Sequence, residues 1–203
     1  MNRKLHIGGR EPKAGWEILN VLPGPQVDHL GDAVDLSRFA DDSFAAIYAS
    51  HVLEHFDYKD KLVTALREWQ RVLAPGGVLH LSVPDLDTLA HLFLQRDKLD
   101  VNQRFHIMRM IFGGHMDTHD YHLVGLNQEF LAGYVLSAGF DRAERVARHG
   151  LFSDTSDMIF AGQPISLNIN AFKPLRSAAA AAAGLSAGRQ AQSSVPGNPA
   201  TRQ

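Results

Sequence analysis

The sequence contains no cysteine. That absence excludes disulfides, thiolate metal sites and a cysteine nucleophile, and it agrees with a reducing compartment. Neither sign of charge dominates: 20 basic residues face 22 acidic ones, for a formal net charge of -2. A chain so balanced has no overall field to hold a polyanion or an anionic membrane, so nucleic acid is not an expected partner. Long apolar runs are missing too. None approaches the roughly 20 residues that span a bilayer, and the opening "MNRKLHIGGREPK" lacks the apolar segment of a secretion leader. The expectation is a soluble cytoplasmic protein without membrane contact. What the 203 residues do supply, at 45% hydrophobic content, is material for one substantial core and too little for two full domains.

From Arg176 onward the composition shifts to Ala, Ser, Gly, Gln and Pro ("RSAAAAAAGLSAGRQAQSSVPGNPATRQ"). Such a segment buries too little apolar surface to offset its ordering entropy. The expected organisation is a folded domain over residues 1–174 and a disordered tail over 175–203.

Within the folded part, short β-rich runs ("KLHIG", "WEILNV", "VDHLG", "AAIYAS", "VLHLSV", "AERVA", "ISLNINAF") are bounded by Gly, Pro, Asp or Asn. Between them, "KDKLVTALREWQRVL" places Leu62, Leu66, Trp69 and Leu73 on one helical stripe. "DLDTLAHLFLQ", "VNQRFHIMRMIF" and "NQEFLAGYVLSAGF" read as further helices, the last stopped at Gly139. Alternating strands and helices predict an α/β fold, an open and mostly parallel twisted sheet of about seven strands with flanking helices. The closing pair, "AERVA" and "ISLNINAF", suits an antiparallel arrangement. The residues between the first two strands, Arg10 to Glu17, are fewer than the dozen or so that a parallel crossover normally needs. The first crossover is therefore either an irregular loop or a sign of unusual strand order.

Open α/β sheets bind ligands beyond the carboxyl ends of their strands. Ser50, His51, Glu54 and His55 follow "AAIYAS" at such an end. Gly8 and Gly9 follow "LHI", where they serve either as an ordinary turn or as a place for a ligand to approach backbone N–H groups. Glu54 reads as a helix cap or surface contact, with catalysis as the alternative. "GGHMDTHDYH" carries His115, His119 and His122 with Asp117 and Asp120. These are metal-ligand residue types, but the leading glycines favour a loop, and a polar lid over a substrate or a plain surface loop fits as well. No metal site is assigned from the sequence.

"DDSFAAIYASHVLEHF" followed by "LREWQRVLAPGGVLHLSVPDLD" resembles the class I S-adenosylmethionine-dependent methyltransferases, and most closely a small bacterial family of that type with a compressed N-terminal half. The resemblance runs from Leu5 to about Phe172. It implies a Rossmann-like fold and S-adenosylmethionine as cofactor, held by Gly8, Gly9, Asn20, Asp32, Ala33, Ser50 and His51. Asp32 and Ala33 would lie beside the adenine, and Ser50 and His51 beside the methionine part. Asn20 stands where such enzymes usually carry an acidic residue for the ribose hydroxyls, so one neutral contact replaces a bidentate grip.

The expected function is methyl transfer to a small molecule or saccharide, with His122 as the first choice of general base and His55 or His51 as alternatives. A non-catalytic module that keeps the fold is the main rival. A nicotinamide-dependent oxidoreductase lacks its G-x-G-x-x-G loop here, and a metal-dependent hydrolase would have to be built on the histidine loop.

Overall fold

Short β-rich runs form the sheet strands, and every strand and helix expected from the sequence is present. The structure, a computed structural model, describes residues 3–175. The predicted tail lies outside the described residues, apart from Leu175. In chain order the elements are β1 (Lys4–Ile7), β2 (Trp16–Asn20), β3 (His29–Leu30), β4 (Phe44–Ser50), a single 3-10 turn (Leu53–His55), α1 (Lys61–Val72) and β5 (Leu73–Pro84). Then come α2 (Leu86–Leu94), α3 (Val101–Phe112), α4 (Gln128–Ser137), β6 (Arg142–Val146), a short ribbon of β7 (Ile159–Phe160) with β8 (Gln163–Pro164), and β9 (Ser166–Phe172).

Seven of the strands make one sheet in the order β3-β2-β1-β4-β5-β9-β6. All neighbours pair parallel except β9, which runs antiparallel to both β5 and β6. The short first crossover resolves as an irregular loop: β1 and β2 are adjacent and parallel, with Lys4 opposite Trp16, and no helix lies between them. The chain leaves β1 toward one edge and β4 toward the other. The carboxyl ends of this pair therefore flank a topological switch point.

On one face, Leu5, Ile7, Ile47, Ala49, Leu79 and Leu81 belong to a single buried cluster with Leu62, Leu66 and Trp69 of α1 and Leu131 and Val135 of α4. The helical stripe read from the sequence is this contact. Lys173 closes the far end of α1, where its ammonium bonds the carbonyl oxygens of Arg71 (3.0 Å) and Leu73 (2.7 Å) and the carboxylate of Asp42 (2.8 Å). A cation suits a helix C-terminus because the terminal carbonyls carry partial negative charge.

The other face is more polar. His6 packs its ring against Phe152 (centroids 4.0 Å apart) and Tyr48 (5.0 Å). The Tyr48 hydroxyl donates to Asp154 Oδ2 at 2.8 Å, and Asn168 Nδ2 donates to the Ser156 carbonyl at 3.0 Å. The segment from His149 to Asp157 thus lies over this face, held by side chains whose polar atoms need partners once buried. Asp154 also caps the turn Thr155–Asp157 by accepting from the Ser156 amide.

Two outcomes follow from these contacts. Lys173→Met should remove three charge-assisted bonds and lower stability by about 2–4 kcal/mol, read as a lower urea midpoint at unchanged slope. Burial pushes the His6 pKa down to about 4 from 6.5, against a smaller opposing effect of Asp154. Between those values the unfolded chain binds a proton that the folded chain does not, so stability is complete above pH 6.5 and declines as pH falls toward 4. The loss should total on the order of 3 kcal/mol. His6→Phe should flatten the stability profile in that window, and an unchanged acid slope in the variant would clear His6 of this role.

Candidate functional site

At the carboxyl ends of β1, β2 and β4 lies a cleft of about 880 Å³, within the size range of small-molecule sites. Gly8, Asn20, Asp32, Ala33, His51 and His55 all line it. Gly8 has φ +75°, and a Cβ there would sit 2.6 Å from Val52 Cγ2. Only glycine meets both demands. Ala33 is buried, and its carbonyl accepts from the indole N–H of the fully buried Trp69 at 2.8 Å. Core and cleft are joined at that bond, since it fixes the loop that carries Asp32. One oxygen of the exposed Asp32 carboxylate accepts from the Val34 amide at 3.1 Å.

Gly9, Ser50 and His122 are placed elsewhere. Gly9 is buried, with its carbonyl accepting from Asn20 Nδ2 at 3.0 Å, and a Cβ on it would run into the His6 ring. Ser50 donates to Asp154 Oδ1 at 3.2 Å, so its hydroxyl turns toward the polar face of the sheet. Asn20 lines the cleft, yet its amide is engaged locally: Oδ1 accepts from the Leu22 amide at 2.9 Å while Nδ2 holds Gly9.

Past β4 the chain turns through His51 in the left-handed region, φ +53°, a conformation that costs energy for a residue with a side chain. Its amide donates to the Ser82 carbonyl at 2.9 Å. Its Nε2 lies 2.9 Å from Ser166 Oγ, which itself donates to the Thr155 carbonyl, so the ring N–H is the donor to Ser166. That turn buries Glu54, which is 1% exposed. The expectation of a cap or surface contact is wrong, and Asp60 stands at the N-cap position of α1. Neither carboxylate oxygen of Glu54 has a hydrogen-bond partner. The nearest cationic or neutral nitrogens are His51 Nδ1 at 3.3 Å and His122 Nε2 at 3.9 Å from Oε1. Burial alone would raise the Glu54 pKa, but His51, His122 and His55 outweigh it and hold the carboxyl below its usual range. Burial also lowers the His122 pKa, against the opposing charge of Glu54. His122 sits behind His55, ring edge to ring face at 4.9 Å.

The loop from Gly113 to His122 folds back on itself through His122 N to the Phe112 carbonyl (3.0 Å) and His115 N to the Asp120 carbonyl (3.0 Å). Its residues Met116 to Tyr121 form one wall of the cleft. His115 stacks on Tyr121 at 4.1 Å and bonds the Phe112 carbonyl, so it does not converge with His122. The Glu54 cluster is not legible as a unit in the sequence, because its parts meet where Leu123 N bonds the Glu54 carbonyl at 2.8 Å, across 68 intervening positions.

A family described as "Methyltransferase domain" matches residues 19–81. A probable methyltransferase of Aspergillus luteorubrus, ltbC, is 27% identical over 121 residues, covering 59% of this chain and 39% of that protein. The probable tRNA methyltransferase 9B of Mus musculus is 38% identical over 61 residues, 30% of this chain and 14% of that protein. The chain thus spans well under half the length of these curated relatives. Among solved structures, an S-adenosylmethionine-dependent methyltransferase of Methanosarcina mazei superposes with a TM-score of 0.53 at 18% identity, covering 86% of this chain and 93% of that one. Residues 19–81 thus match a methyltransferase domain, and the chain has the fold of the solved S-adenosylmethionine-dependent methyltransferase.

The cleft geometry predicts a graded response to added methyl groups. Gly8→Ala should destabilise the protein by about 1–3 kcal/mol through strain and the clash with Val52. Gly15→Ala, also at positive φ but facing open space, should cost less. Urea denaturation of both variants compares them, and equal losses would mean that the Val52 contact relaxes freely.

Proposed function

We propose that the chain is a methyltransferase that binds S-adenosylmethionine in the cleft and modifies a small molecule or saccharide. The observation that carries this reading is the cleft itself, at the switch point of a class I methyltransferase fold, with Gly8, Asp32, Ala33 and His51 along one wall. The residues present fit the cofactor. Gly8 leaves open backbone where a side chain would intrude, Ile7, Leu19 and Val52 give apolar surface, and Asp32 offers a carboxylate to the solvent side. Asp32 suits an amino donor such as that of adenine, because an ionised carboxylate accepts without competing donors. When bound, the cofactor supplies an electrophilic methyl group.

The chain's own residues orient and desolvate the acceptor, which supplies most of the catalysis in such a displacement. His55 faces the cleft, and its Nδ1 donates to the Tyr121 carbonyl at 3.1 Å, since a carbonyl can only accept. Its Nε2 therefore carries the lone pair available to an acceptor hydroxyl. His122, the first expectation for a base, acts from behind His55 in this reading. Asp117 and Asp120 on the loop wall favour an uncharged or cationic acceptor over a polyanion.

A second reading, a non-catalytic module, draws support from Asn20. Its amide is spent on Gly9 and Leu22, so no acidic residue is free at that position to grip ribose hydroxyls. Calorimetric titration with S-adenosylmethionine separates the two. One site per chain supports the enzyme reading, and no heat at millimolar cofactor supports the module. Asp32→Ala should weaken binding roughly 10- to 150-fold in a folded protein, the value of one charge-assisted hydrogen bond. Unchanged affinity would remove Asp32 from the site.

A further inference from the structure

We propose that Glu54, His55 and His122 hold one divalent cation of the zinc or manganese type, with an open coordination position toward the cleft. The ligand-capable atoms of these three residues all lie within 4.8 Å of one another. The second, independent observation is the Glu54 carboxylate. It is almost fully buried and aimed into the cluster, and neither oxygen has a hydrogen-bond partner. Buried charges in proteins are paired, bonded or bound to metal, because an isolated one is too costly to keep. His51 offsets only part of that cost: its Nδ1 stands 3.3 Å from Oε1, an ion pair when the ring is protonated, and the second carboxylate oxygen has no partner.

The surroundings match those of a ligand set. His55 spends Nδ1 on the Tyr121 carbonyl, the partner that orients a ligating imidazole and leaves Nε2 for the ion. Glu54 and His122 are locked together through the backbone bond from Leu123 N to the Glu54 carbonyl. Two imidazoles and one carboxylate suit borderline divalent cations, and three protein ligands leave room for an exogenous oxygen. His55 lines the cleft, so that position opens where an acceptor would lie. There the cation, in place of the His55 lone pair it occupies, takes an acceptor hydroxyl oxygen and lowers its pKa, and the hydroxyl proton passes to water. This last clause alone rests on the methyl-transfer reading. The site differs from the histidine loop considered from the sequence, since His115 and His119 take no part in it.

The test uses the full chain without an affinity tag, stripped with chelator and titrated calorimetrically with zinc, then with cobalt, whose visible absorption reports its ligands. One cation per chain is expected. Glu54→Gln and His55→Ala should each weaken it at least about 100-fold, more than the loss of an outer partner does, while His115→Ala leaves affinity unchanged. If Glu54→Gln does not fold by circular dichroism, His55→Ala at its half-exposed position carries the test. Absence of stoichiometric binding overturns the proposal. So does binding that survives His55→Ala but is lost in His115→Ala. Titration of the stripped chain with S-adenosylmethionine is scored separately, so failure of cofactor binding leaves the metal result standing.

Discussion

The connections from β1 to β2 and from β2 to β3 are too short for helices, and that constraint shapes the rest of the molecule. Among the described residues no helix precedes the turn at Leu53–His55, so three parallel strands are joined by loops alone. A sheet face left without helices must be covered by something else or remain wet. Here the return segment before β9 covers it: Tyr48 and Asn168 bond to that segment, and His6 packs its ring against Phe152. The His80 ring, 2.8 Å from Asn170 Oδ1, extends the same pattern. A polar sheet face is thus the consequence of covering a sheet with loop in place of helix, because loop backbone brings polar atoms that must be satisfied.

The opposite face does the conventional work and also positions the cleft. Trp69 is buried among leucines, yet its single donor reaches the Ala33 carbonyl and fixes the loop above β3. At the β4 exit, strain in His51 is held by Ser82 and Ser166 from β5 and β9. The strand that ends in a left-handed residue redirects the chain inward, which is how Glu54 comes to be buried one turn before α1. Packing on one side of the sheet and strain at its rim together place charged and titratable groups where the fold binds ligands.

Strand and helix order was legible from the sequence because each segment is locally consistent, from the α1 stripe to Gly139 at the end of α4, where φ is +99°. The rim was legible as a place. Individual side-chain directions were not. Ser50 looks like a cleft residue by position, but the alternation along β4 sends it with Tyr48 to the polar face, toward Asp154. Asn20 looks free to bond a ligand, but an amide beside a short glycine loop is drawn to the backbone at hand. Glu54 looked exposed because its covering segment, Tyr121 to Leu123, is remote in sequence. The Ser50 and Glu54 misses concern contacts between distant segments, which local pattern does not encode.

The central claim is that the rim between β1 and β4 is a cofactor cleft whose adenine end is marked by Asp32 and Ala33. A crystal structure of the chain soaked with S-adenosylhomocysteine tests it most directly. The account predicts the nucleoside against Ala33 with its amino group at Asp32, and the amino acid portion running past Gly8 toward His51. Density for the ligand on the polar face near Asp154, or an empty cleft at millimolar ligand in crystals that leave the cleft open to solvent, would contradict it.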